Sequence, residues 1–255
     1  MLKISIITAV LNGRNTIGDT IRSVLNQGYK NVEHIIIDGG STDETLEVIK
    51  RYINKAIKAI RIISEPDQGV YDALNKGIKL SSGDVIGILN GDDFYAHDKV
   101  LNMVADVFKD QNVDSCYGDL LYVRKKDINK VVRYWKSSDY QYGKFIYGWM
   151  PPHPTFFVGR KIYEQFGYFN TSFRIAADYE LMLRFLERYR ISTYYIPDIL
   201  IKMRVGGMSN RSLRNMALKS YEDYKAWKVN HLKINFYTIL FKNLSKIPQF
   251  LPGRI

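Results

Sequence analysis

With 255 residues, 46% of them hydrophobic, the chain can bury one substantial core, and it holds no apolar stretch long enough to cross a bilayer. A formal net charge of +11 points to anionic partners: nucleic acid, an anionic membrane surface or phosphorylated substrates. The single Cys116 excludes an internal disulfide and suits a reducing compartment, and His34, His97, His153 and His231 lack zinc-finger spacing.

The start, Met1 to Ser5, lacks a signal-peptide layout and runs straight into a strand, so a cytoplasmic protein is expected. Ile4 to Val10 is a β-branched run that reads as a buried strand. Leu11 to Asn15 follows as a loop, and Ile17, Ile21, Val24 and Leu25 then recur at helical spacing up to Gly28. Glu33 to Asp38 is the second strand; Gly39-Gly40 turns the chain, and Ser41 with Glu44 forms a capping box for the next helix. Ile60 to Ser64 is the third strand, ended by Glu65-Pro66-Asp67, and Val70, Leu74 and Ile78 mark a short helix. Strands alternating with helices argue for a parallel sheet wrapped on both faces. No P-loop and no dinucleotide-binding glycine fingerprint occurs.

The fourth strand is Asp84 to Leu89, and it breaks at Asn90-Gly91 to deliver two adjacent carboxylates, Asp92 and Asp93. Ligands of open α/β sheets sit at the carboxyl ends of strands, and this pair stands at such an end. Side chains alternate along extended backbone, so one acid is expected on a divalent cation and the other on sugar or ribose hydroxyls. A solvated turn is the competing reading.

Beyond Asp93, Leu101, Val104 and Val107 give another helix, and Val113 to Arg124 and Lys130 to Trp135 read as strands around a basic turn at Lys125-Lys126-Asp127. Trp149 to Pro154 is a Pro-rich loop carrying His153, Lys161 to Phe166 a short helix, and Asp178 stands before an amphipathic helix. Ser192 to Lys202 reads as two short strands split by Pro197-Asp198, followed by Gly206-Gly207-Met208-Ser209. From Arg211 the chain is helical and basic, with Arg211, Arg214, Lys219, Lys225, Lys228, Lys233, Lys242, Lys246 and Arg254 against only Glu222 and Asp223. With the apolar run Phe236 to Phe241, such a tail suits a membrane interface with anionic head groups; packing on the domain is the alternative.

Four segments together resemble family 2 glycosyltransferases of the GT-A fold, the bacterial polysaccharide-assembly type: Ser5 to Asn12, Ile37 to Thr45, Asp67 to Gly77, and Asn90 to Asp93. The resemblance implies an α/β fold with a mostly parallel sheet. Its GT-A domain spans residues 1–210, with 1–100 binding the nucleotide-sugar and 101–210 the acceptor, and 211–255 is a basic helical tail. It implies inverting transfer of a sugar from a nucleoside diphosphate, UDP first, to a hydroxyl of a saccharide acceptor. A lipid-linked acceptor is plausible because the tail would keep the enzyme at the inner face of the plasma membrane.

The resemblance also suggests roles for particular residues. Asp93 chiefly holds Mn²⁺ or Mg²⁺, and Asp92 holds the donor sugar or ribose. Thr8, Asn12, Asp38 and Asp67 line the donor pocket, and Asp178 is the general base. His153, Glu180 and Arg204 are further candidates for acceptor or phosphate contacts, with Arg211, on the other side of the Gly206 to Ser209 segment, the alternative to Arg204. Where many members carry a second acid after the Asp38 position, this chain has Gly39, which leaves GDP and dTDP as alternatives to UDP. Two rival readings are a sugar-1-phosphate nucleotidyltransferase, for which Leu11 to Asn15 is too poor in glycine, and a basic RNA-binding protein, for which no RRM or KH signature is present.

Overall fold

The computed structural model describes residues 1–53, 59–206, 213–235 and 237–244. The expected segment Gly207-Met208-Ser209, together with Arg211, Phe236, Lys246 and Arg254, lies outside the described residues.

The first half is the expected repeat. Strands β1 (Ile4–Val10), β2 (Val32–Asp38), β3 (Ala59–Ser64) and β4 (Val85–Ile88) alternate with helices α1 (Ile17–Leu25), α2 (Thr45–Ile53) and α3 (Val70–Leu80). These strands are parallel in the order β3-β2-β1-β4, so their carboxyl ends and following loops meet along one edge. Ile6 and Ile7, adjacent in β1, belong to different apolar clusters, as alternation across a sheet requires. Ile17, Ile21 and Ile49 from α1 and α2 cover one face, and Leu74 and Ile78 of α3 cover the other. Gly77 lets α3 lie close on β1: a Cβ there would stand 2.3 Å from Ile7 Cγ2.

The second half extends the same sheet to nine strands, β5 (Phe94–Tyr95), β6 (Ser115–Val123), β7 (Val131–Trp135), β8 (Phe157–Gly159) and β9 (Thr193–Arg204) joining it. The order continues from β4 through β8, β6 and β9 to β5, with β7 on β6. Helix α4 (Val100–Val107) packs on the face of Ile4 and Ile6, while α5 (Arg160–Phe166), α6 (Ala177–Leu183) and α7 (Leu213–Val229) lie in the second half, with α8 (Thr238–Leu244) after them.

Two local expectations are corrected. Ser192 to Lys202 is not two strands but one, β9, whose pairing with β6 shifts register around Pro197-Asp198; a bulge is where a residue lacking an N–H fits a sheet. Ser41 does not cap α2: its hydroxyl accepts the Asn12 N–H at 2.8 Å, and Asp43 Oδ1 accepts the Thr45 N–H at 2.9 Å.

The described part of the basic tail is built into the domain. Trp227 of α7 is buried in the core that also holds Ile7 and Leu74, and its indole N–H donates to Tyr179 Oη at 2.9 Å. Its two acids face inward, Glu222 onto backbone and Asp223 onto the buried Lys242 at 2.6 Å. No helix among the described residues is long and apolar enough to cross a membrane.

Candidate active site

The loops after β1 and β4, the start of α3 and the entry to α6 enclose a cavity of about 520 Å³ at the carboxyl edge of the parallel strands. Asn12, Thr16, Asn90 and Asp92 line it from the first half, and His153, Phe169, Arg174 and Asp178 from the second. Lys125, Met203 and Gly206 complete the wall.

The acidic turn divides its work differently from expectation. Asp92 lines the cavity, whereas Asp93 is wholly buried behind it. Asn90 Nδ2 donates to Asp93 Oδ2 at 2.9 Å, and the Arg204 N–H donates to Oδ1 at 3.3 Å. Burial first, and the Asp92 carboxylate second, push the Asp93 carboxyl well above the usual range, which favours its neutral form. Asp93 is thus the turn's internal anchor, and the carboxylate presented to a ligand is that of Asp92. Arg204 is likewise buried. Its guanidinium donates to the Asp92 carbonyl at 2.6 Å, pairs with Asp19 and lies 4.9 Å from the Phe94 ring centroid. It braces the turn from beneath and does not line the cavity, so a phosphate contact from Arg204 is not what this geometry offers.

In the first half, Asn12 adopts a left-handed backbone (φ 53°) and its Oδ1 accepts the Thr42 N–H at 2.9 Å, tying the first loop to the second. Asp38 ends β2 fully buried. Its Oδ2 accepts from Ser64 Oγ at 2.7 Å and the Ser41 N–H at 3.1 Å, while Oδ1 has no partner among the described residues. Thr8 is also fully buried, its hydroxyl 2.9 Å from His34 Nε2, and does not line the cavity. Burial lowers His34 to about 3, so the ring is neutral beneath the site. Asp67 lies outside the cavity wall, paired with Lys76 at 2.8 Å.

The departure at Gly39 has a local reason. A Cβ at this position would stand 2.9 Å from Asp67 Oδ2, so an acid here would collide with, and repel, a carboxylate supplied by the third loop.

In the second half Asp178 occupies the first turn of α6 and is not its N-cap, which is Ala176. Its Oδ2 lies 3.1 Å from His153 Nδ1, and Tyr71 Oη lies 3.4 Å from its Oδ1 while donating to the Ile175 carbonyl at 2.7 Å. Burial lowers the His153 pKa, Asp178 opposes that, and Lys219 and Lys242 add to it. Glu180 does not share the cavity. It is buried against Arg184 at 3.1 Å and accepts from Asn230 Nδ2 at 3.0 Å, fastening α6 to α7. Lys125, Arg174 and Tyr71 line the cavity without having been singled out. Arg174 stands four residues before Asp178 and Tyr71 inside the quoted Asp67 to Gly77 segment, so their places were visible though their roles were not.

The described residues include no group of three His, Cys, Asp or Glu side chains able to hold a metal unaided. A single carboxylate at a strand end still fits a hard dication whose remaining oxygens come from phosphates and water.

The comparisons agree with this geometry. The model for glycosyl transferase family 2 matches residues 5–177. A PGL/p-HBAD biosynthesis glycosyltransferase of Mycobacterium bovis is 26% identical over 223 residues, covering 84% of this chain and 82% of the relative. Among solved structures, S. aureus TarS 1-349 in complex with UDP-GlcNAc superposes with a TM-score of 0.68 at 16% identity, over 90% of this chain and 65% of that one. The mannosyltransferase PcManGT of Pyrobaculum calidifontis, in complex with GDP-Man and Mn²⁺, gives 0.66 at 16% identity, over 100% and 76%. Neither the nucleotidyltransferase nor the RNA-binding reading gains support from any of these. Strand order, the acidic turn at the sheet edge and a family match over most of the described first two thirds converge: the chain belongs to glycosyl transferase family 2.

Proposed function

We propose that this transferase moves a sugar, with inversion, from a nucleoside-diphosphate sugar to a hydroxyl of a saccharide acceptor in cell-surface polysaccharide assembly. The observation that carries the reading is that Asp92 and Asp178, one from each half of the chain, line the same cavity. Complexes of the structural neighbours with UDP-GlcNAc, and with GDP-Man and Mn²⁺, support the donor class. UDP remains the first choice.

Asp178 takes the proton of the acceptor hydroxyl as its oxygen bonds to the anomeric carbon. The bond from that carbon to the diphosphate oxygen breaks, and the electron pair leaves on the nucleoside diphosphate. Asp92 would hold a Mn²⁺ or Mg²⁺, which when bound neutralises charge on the leaving diphosphate. Lys125 and Arg174, exposed at the cavity wall, supply further positive charge for the phosphates. Asn12 organises the nucleoside end from the cavity wall, and Asp38, fully buried and outside that wall, holds Ser41 and Ser64 in place behind it.

A lipid-linked acceptor at the inner face of the plasma membrane fits the exposed Leu240, Phe241 and Leu244 of α8 and the exposed Arg214, Lys228 and Lys233. Flotation with phosphatidylglycerol vesicles tests this part. Leu240→Ser with Phe241→Ser should leave the vesicle fraction, and an unchanged distribution removes the membrane assignment.

The activity itself is tested by incubating the protein with UDP-, GDP- and dTDP-sugars and Mn²⁺ and detecting released nucleotide by mass. Release from one nucleotide class supports the reading. Thermal protection by RNA and by no nucleotide would overturn it.

A further inference from the structure

We propose that Glu222, in the basic C-terminal helix, is a positioning residue for the transfer step, acting by fixing the backbone that carries Asp178. The inference rests on the reading of Asp178 as general base.

Helix α6 begins without a capping side chain: its N-cap is Ala176, preceded by Ile175 and Arg174. Glu222, from another helix, instead binds the three backbone N–H groups that lead into the first turn. Its Oε1 accepts the Arg174 N–H at 2.8 Å, and its Oε2 accepts those of Ile175 at 2.8 Å and Ala176 at 2.9 Å. The carboxylate is buried, so these bonds are made in a dry setting where their geometry is exacting. A carboxylate before the first turn also suits the positive end of a helix. Two further ties close on the same segment: Lys225 Nζ donates to the Ser172 carbonyl at 3.2 Å, and Tyr71 Oη donates to the Ile175 carbonyl at 2.7 Å.

The clamp thus ends two residues before Asp178, and Arg174, one of the residues it holds, lines the cavity. Loosening it shifts the start of α6, and with it the 3.1 Å contact between Asp178 and His153. A misplacement on the order of 1 Å at a base is enough to cost about a hundredfold in rate.

The test uses the full chain carrying Glu222→Gln, which keeps the shape but loses one acceptor oxygen, and Glu222→Asp, which keeps the charge on a shorter stem. The His153 imidazole is followed by NMR titration, assigned by its loss in His153→Gln, and UDP release from UDP-N-acetylglucosamine with Mn²⁺ is followed in parallel. Folded Glu222→Gln should show a His153 titration moved to lower pH and kcat reduced about tenfold or more, with KM for the donor within about twofold. Glu222→Asp should lie between it and the parent. If Glu222→Gln does not fold, the same comparison is made on Glu222→Asp. An unmoved His153 titration in a folded variant overturns the proposal, as does an unchanged kcat. The base reading fails separately: it falls if Asp178→Asn releases UDP at the parent rate, whatever Glu222 does to His153.

Discussion

The imidazole of His153 lies 3.1 Å from Asp178, Nδ1 to Oδ2, inside the cavity that Asp92 lines from the other half of the chain. Burial lowers its pKa against the opposing pull of Asp178, which favours the neutral ring, and a neutral ring facing a carboxylate donates through Nδ1. It therefore orients Asp178 without cancelling its charge. Replacing His153 with Ala should lower kcat by about tenfold or more while nucleotide affinity stays within about twofold. Steady-state UDP release and nucleotide titration together separate the two effects.

Asp92 and Asp93 should respond in opposite ways. Asp92→Ala is expected to leave thermal stability almost unchanged and to remove the Mn²⁺-dependent part of nucleotide binding. Asp93→Ala strips partners from Asn90 and the Arg204 N–H in a buried place, and should cost roughly 1–3 kcal/mol of folding stability. Urea unfolding and calorimetric titration of UDP with Mn²⁺ give both numbers; equal stability losses would contradict the division.

Gly39→Asp should be destabilising by about 1 kcal/mol, chiefly because it sets a second carboxylate against that of Asp67, whose Oδ2 its Cβ would approach to 2.9 Å. Much of that loss should vanish in Gly39→Asp with Asp67→Ser. A double-mutant cycle on unfolding free energy measures the coupling, and simple additivity would show that Asp67 is not what excludes an acid here.

The strand-helix repeat, and with it the edge where the site sits, was legible from periodicity and turn residues. So was the acidic turn as a place, whereas Asp178 stood out only through the family resemblance. What periodicity left open was which of two adjacent acids faces outward: the turn after β4 is fixed by Thr16, Thr20 and Arg204, which lie far away in sequence. Thr8, Glu180 and Arg204 share a different cause. Each is polar at a plausible motif position, but each finds its partner, His34, Asn230 or Asp19, on a distant element. The tail misled by composition. Its two acids looked like minor relief in a basic run, yet both are turned inward, and Trp227 belongs to the main core. Removing everything after Arg211 would therefore damage the fold, and point substitutions on α8 are the cleaner membrane test.

The neutral His34 makes stability fall in mild acid. Its folded value is lowered to about 3 from 6.5, so the unfolded chain takes up the proton first as pH drops below 6.5, and stability is lost down to about pH 3. Between pH 7 and 5 this should amount to about 1–2 kcal/mol. Glu33 acts lower: against the effect of burial, hydrogen bonds from Ser5, Ser82 and Lys3 bring it to about 2 from 4.5, so its contribution is lost only as pH falls below 4.5. Urea unfolding at pH 7 and 5 should show a smaller difference in His34→Asn than in the parent; an equal difference would move the cause elsewhere.

The most direct measurement is single-turnover UDP release by Asp178→Asn, at donor and Mn²⁺ concentrations shown by titration to saturate the parent and the variant alike. The account predicts unchanged donor affinity with release slowed by about a thousandfold or more, the loss of a general base. Release at the parent rate, or a loss explained wholly by weaker donor binding, would contradict it.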